Sequence, residues 1–189
     1  MDHDPSLGFA TPEAFQAWID SGVAGGVWLR VPRAGSVVGG IGYADALLVA
    51  LANGWIDSVK RSGDDPGVWL QRFTPRRPRS RWSQVNREHV ERLVDSGAMR
   101  EAGIAEVEAA RADGRWDAAY ASPSRATVPD DLATALAAVP GARDFFDGLS
   151  SGNRYSFLHR IEAVRRPETR ARKIEEYAAM LGRHETLHP

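Results

Sequence analysis

The chain has 189 residues, 43% hydrophobic and 26% charged, with a formal net charge of −1. That length closes one large core or two small ones, and the composition is that of an ordered globular protein. A nearly neutral chain does not coat nucleic acid or anionic lipid through its overall field, and the lack of cysteine excludes disulfides, thiol nucleophiles and cysteine-held metal centres.

The opening MDHDPSLGFATPEAF is acidic. It lacks the basic-then-apolar order of an export signal. No apolar run reaches the ~18 residues a membrane span requires, so a cytoplasmic protein without membrane association is expected. Thr11-Pro12-Glu13 reads as a helix start: a hydroxyl cap, proline at the first helical position, and an acid at the positive end of the dipole. That helix buries Phe15, Trp18 and Ile19 and stops near Gly22. Val27 to Val31 alternates as a strand, and the glycine-rich 35–42 segment reads as a turn. Its GGIG lacks the spacing of a dinucleotide fingerprint and the lysine of a P-loop.

Tyr43 to Ala52 is an apolar helix closed by Asn53-Gly54. Trp55 to Val59 and Val68 to Phe73 alternate as the two arms of a hairpin around a polar turn. Ser83 caps a helix over Gln84 to Asp95 that buries Val85, Val90, Leu93 and Val94. A second helix, Glu101 to Ala112, offers Ile104 and Val107 to the core. Beyond a Ser/Pro/Thr-rich linker every segment is helical, with starts at Pro129, Pro140, Ser150 or Ser151, and Pro167. The expected fold is α+β: a small mixed N-terminal domain with a β-hairpin and helices over 1–121, a linker over 122–128, and a C-terminal helical bundle over 129–189.

The chemistry-bearing stretch runs from Gly54 to Leu93. It holds three of the six tryptophans, Trp55, Trp69 and Trp82, and places Arg72, Arg76, Arg77, Arg79 and Arg81 within ten residues. Pro75 and Pro78 push the residues before them toward extended geometry, so this is a stiff connector rather than a helix face. Guanidinium forks pair with carboxylates and phosphates and stack on aromatic rings.

At RFTPRRPRSRWSQVN (Arg72–Asn86), with GWID at Gly54–Asp57, RADGRWDAAY at Arg111–Tyr120 and NRYSFLHRIEAVRRPETRARKIEEYAAML at Asn153–Leu181, the chain resembles the bacterial YdeI/OmpD-associated family. That family is also labelled bacteriocin-protection protein, and its C-terminal piece is the OmdA helical domain. The likeness runs from about Phe15 to Leu181. It implies a role in resistance to bacteriocins or antimicrobial peptides and a link to an outer-membrane porin, with no reaction or ligand attached.

The leading expectation is a protective binding protein that captures an anionic small molecule or acidic partner. Arg72, Arg76, Arg77 and Arg79 supply charge, Trp55 and Trp82 stack, and Asp57 orients. One alternative is an enzyme doing acid–base chemistry on a carboxylate or phosphate ester, with Asp57, Tyr43 or His159 carrying the proton. Another is a single-stranded nucleic-acid binder, because arginines interleaved with aromatics suit stacking and phosphate contact. No cofactor is expected. No metal is either, since His3, His89, His159, His184 and His188 lack ligand spacing. The second basic cluster, Arg165, Arg166, Arg170, Arg172 and Lys173, alternates with glutamates at helical spacing and reads as an exposed helix face.

Overall fold

The computed structural model describes residues 4–23, 25–121, 125–164 and 166–187. His3, Arg165, His188 and the 122–124 part of the linker lie outside them. The chain divides into two compact units, Met1–Ala119 and Tyr120–Pro189.

The first unit is built on four strands, β1 (Ser6–Leu7), β2 (Val27–Pro32), β3 (Trp55–Ser62) and β4 (Val68–Pro75), in the order β1-β2-β4-β3. β1 runs parallel to β2; the other pairs are antiparallel. β3 and β4 form the expected hairpin, with β3 three residues longer than its alternation suggested. β1 was not foreseen. Two residues show no alternation to read. What holds them is Asp4, whose carboxylate accepts from Arg72 Nε and Nη2 at 2.9 and 2.6 Å and from the Gly26 amide at 3.3 Å.

Side chains alternate across each strand, so register decides which residues meet. Val27, Leu29 and Val31 pair with Phe73, Gln71 and Trp69 on one face. Helices α1 (Pro12–Asp20) and α2 (Tyr43–Ala52) bring Phe15, Ala46, Leu47, Ala50 and Leu51 into the same core cluster, and α3 (Gln84–Asp95) and α4 (Glu101–Ala112) add Val90, Val107 and Ala110. On the other face Trp28 pairs with Arg72, and Arg30 with Leu70.

The caps fall where their chemistry demands. Thr11 Oγ1 accepts the Ala14 amide at 3.3 Å and Ser83 Oγ the Asn86 amide at 3.1 Å. Two expected core residues are corrected: Val94 and Ile104 are exposed. Ile104 lies off the stripe that Gly103, Val107 and Ala110 carry on α4. Val94, four residues after Val90, falls in the last turn of α3, where residues 91, 92 and 94–96 are exposed.

The second unit holds α5 (Asp130–Ala138), α6 (Ala142–Gly148), α7 (Ser151–Glu162) and α8 (Pro167–Gly182) around Leu132, Leu136, Phe146, Phe157, Ile161, Ile174, Tyr177 and Leu181. Arg170 does not belong to the exposed basic face that its helical spacing suggests. It grips Asp131 with two hydrogen bonds of 2.7 and 3.0 Å and the Ile161 carbonyl at 3.0 Å, tying α8 to α5 and α7. Among the described residues, no helix is long and apolar enough to cross a membrane.

Candidate functional site

The connector from Arg72 to Trp82 is largely a structural device. Arg72 is held by Asp4. Arg76 is 7% exposed; its guanidinium lies 3.5 Å over the Trp82 ring and donates to the Arg81 carbonyl at 3.2 Å. Trp82 in turn meets Trp116 edge-on at 4.9 Å. The stacking-platform reading of Trp55 and Trp82 is therefore corrected. They are 5% and 1% exposed, and Trp55 packs its ring against Trp18. Large indoles at the mouth of a helix-covered sheet are worth more inside the core than at its rim.

Arg77 and Arg79 do reach solvent. They sit on a tight turn in which the Ser80 amide donates to the Arg77 carbonyl at 2.8 Å and Ser80 Oγ accepts the Arg77 amide at 2.9 Å. Pro78 between them is preset for that turn. Arg115 braces it by donating to the Ser80 carbonyl at 3.1 Å.

Asp57 and Arg72 do not share a face. Asp57 lies opposite Phe73 on the helix-covered side, whereas Arg72 lies opposite Trp28 on the other. Asp57 is instead paired with a second candidate: Tyr43 Oη donates to its Oδ2 at 2.9 Å. The first turn of α2 carries Tyr43 over the sheet, where its ring lies against Trp69 at 5.7 Å. His159 belongs to the helical unit, flanked by the rings of Tyr120 and Tyr155 at 5.8 and 5.5 Å.

Trp69 leads to the residues that sequence reasoning missed. With Arg33, Lys60, Arg61 and Ser62 it lines a pocket of about 500 Å³. The end of β2 delivers Arg33, whose amide donates to the Gly67 carbonyl at 2.9 Å. β3 delivers Lys60 and Ser62. Between Asp57 and Lys60 it carries one extra residue, a bulge. The buried Gln71 amide donates to the Val59 carbonyl there at 3.3 Å, which accounts for a polar side chain inside the sheet. The bulge keeps Lys60 and Ser62, opposite Gln71 and Trp69, on the same face as Asp57. Arg61 turns the other way, its guanidinium 3.9 Å over the Trp28 ring.

Arg33 and Lys60 form no ion pair among the described residues. Two unneutralised cations, a hydroxyl and a half-buried indole around one concavity can hold a phosphate or carboxylate group. Among the described residues no group of three or more His, Asp or Glu side chains is placed to hold a metal ion. The signal for this pocket was present in the chain. Lys60 is one of only two lysines, and VKRS carries the strand past Val59 to the turn.

Fold and site together define a two-unit α+β protein: a helix-covered sheet with a cationic pocket at one edge, and a helical bundle. The chain belongs to the family described as Domain of unknown function (DUF8412), whose model matches residues 7–106. Residues 125–184 match the family described as Bacteriocin-protection, YdeI or OmpD-Associated (OmdA). The OmdA likeness is thus carried by the C-terminal region, while GWID and RFTPRRPRSRWSQVN fall within the segment matched by the other family. Comparison with curated proteins and with solved structures gives no match.

Proposed function

We propose that the protein binds an anionic small molecule or acidic group in the pocket of Arg33, Lys60, Ser62 and Trp69. The observation that carries this reading is the pair of cations that have no ion-pair partner among the described residues, set beside an aromatic wall in a concavity of about 500 Å³. That size lies within the range of small-molecule sites. The bacteriocin-protection description of the OmdA region supplies the setting, a protective role in a bacterium. The lack of cysteine supports the cytoplasm.

The test is a thermal-shift and calorimetric titration with inorganic phosphate, nucleotides and small carboxylates at two salt concentrations. Ligand at 100 times its Kd stabilises the fold by about 2.7 kcal/mol. Lys60→Ala and Arg33→Ala abolish the effect, while Arg77→Ala and Arg79→Ala leave it unchanged. Loss of binding in the Arg77 and Arg79 variants alone moves the site to their turn. Binding that collapses with salt and tracks single-stranded nucleic acid of any sequence replaces the small-ligand reading with backbone recognition.

The Tyr43–Asp57 hydrogen bond favours one second reading, acid–base chemistry on a phosphate or carboxylate ester. The Tyr43 ring borders Trp69, and its phenol is held in place by the Asp57 carboxylate. Tyr43→Phe then removes turnover while the anion still binds. Unchanged turnover in that variant removes the catalytic reading.

A further inference from the structure

We propose that the exposed half of β3 is a docking edge for an extended acidic peptide, which adds to the sheet as a fifth strand and sets its carboxylates against Lys60 and Arg33. This inference rests on the reading of the pocket as an anion site and names the kind of partner that reaches it.

The two edges of the sheet differ. β1 closes one side with only two residues, too few to template another chain. β3 closes the other with eight residues and, among the described residues, pairs only with β4. Its residues 58–62 are all exposed, and Val59 is 60% exposed. A strand in that state offers unused backbone donors and acceptors along its outer side, the requirement for strand addition.

Charge selects the partner. Lys60 and Arg61 alternate to the two faces of the edge, Lys60 opposite Gln71 and Arg61 opposite Leu70, and Arg33 lines the pocket beside Lys60. An incoming strand with carboxylates at alternate positions points them all to one face, where they meet Lys60 and Arg33. A second copy of β3 meets the same cations head-on, so the edge repels itself while it attracts an acidic segment. Val59 supplies the apolar contact between the charges.

The test uses the full chain and a fluorescein-labelled eight-residue peptide alternating glutamate with valine and threonine. Three controls accompany it: a lysine-for-glutamate version, a version N-methylated at alternate backbone nitrogens, and inorganic phosphate. The expected result is saturable binding of the acidic peptide with slowed hydrogen exchange at amides 58–62. Affinity falls at least tenfold on N-methylation, and equally in Lys60→Glu, which binds the lysine peptide instead. Lys60 is exposed and, among the described residues, makes no ion pair, so circular dichroism of Lys60→Glu matches the parent. Peptide binding that survives N-methylation overturns strand addition and leaves an anion pocket. Phosphate binding without peptide binding overturns the docking edge alone. If neither binds, this inference and the pocket reading fail together.

Discussion

A guanidinium in a proline-flanked run can face solvent or lie on an aromatic ring, and neighbours decide which. Arg76 lies on Trp82; Arg77, one residue on, heads a turn in solvent. Arg76→Ala removes a desolvated cation–π contact and a hydrogen bond and leaves Trp82 partly uncovered. It is expected to cost about 2 kcal/mol in urea denaturation, whereas Arg77→Ala stays within about 0.5 kcal/mol. Equal costs would place both arginines in the same environment. Asp131 gives a pH-dependent counterpart. Hydrogen bonds from Arg170 hold its carboxyl below the usual range, with burial opposing. A lowered carboxyl stabilises the fold above its unfolded pKa of about 4 and loses that contribution as pH falls through the lower folded value. The Asp131 side chain is 46% exposed, so solvent screening keeps the pair to about 0.5–1 kcal/mol. Asp131→Asn is expected to be less stable by that amount at neutral pH and to converge with the parent in acid. A gap that persists in acid would assign the loss to packing instead.

At the scale of elements, α4 shows how closely the backbone of one segment can set the position of another. A Cβ at Gly103 would fall onto the Ala52 carbonyl oxygen, and one at Gly54, where φ is +73°, would come within 2.9 Å of the Ala102 carbonyl oxygen. The helix therefore rests on the corner between α2 and β3, and the Arg100 amide donates to the Ala52 carbonyl at 3.0 Å. Gly103→Ala must lift α4 off that corner and is expected to destabilise the first unit by about 1–3 kcal/mol, read as a lowered Tm. An unchanged Tm would mean that the corner yields. The helices themselves were legible because their ends are local: Thr11, Ser83 and Ser150 cap as their side chains dictate. The hairpin was legible because both arms alternate. What stayed hidden depends on distant partners. β1 is a strand only because Asp4 and β2 hold it. The outer half of β3 is polar on both faces and carries a bulge, so its alternation breaks at Val59. The pocket residues come from the ends of different strands, and their meeting rests on the register of β2, β4 and β3. Tyr43 and Asp57 were identified separately as proton carriers; their contact follows from the way α2 crosses the sheet.

For the molecule as a whole, the consequence of two units is that each closes its own core. Phe15 sits at the centre of one cluster and Phe146 within the other, both fully buried, and the two clusters share no residue. Removing either ring leaves a cavity worth about 3–5 kcal/mol, and a two-unit chain need not unfold in one cooperative step. Calorimetry is therefore expected to show two transitions: Phe15→Ala lowers one and Phe146→Ala lowers the other. The ligand experiment sharpens the assignment. Arg33, Lys60, Ser62 and Trp69 all belong to the first unit, and an anion bound there stabilises only the fold that presents the site. Saturating phosphate should raise the transition that Phe15→Ala lowers and leave untouched the one that Phe146→Ala lowers. A common shift of both transitions would show instead that the two cores melt as one cooperative body, and binding at the sheet edge would then reach the helical bundle as well.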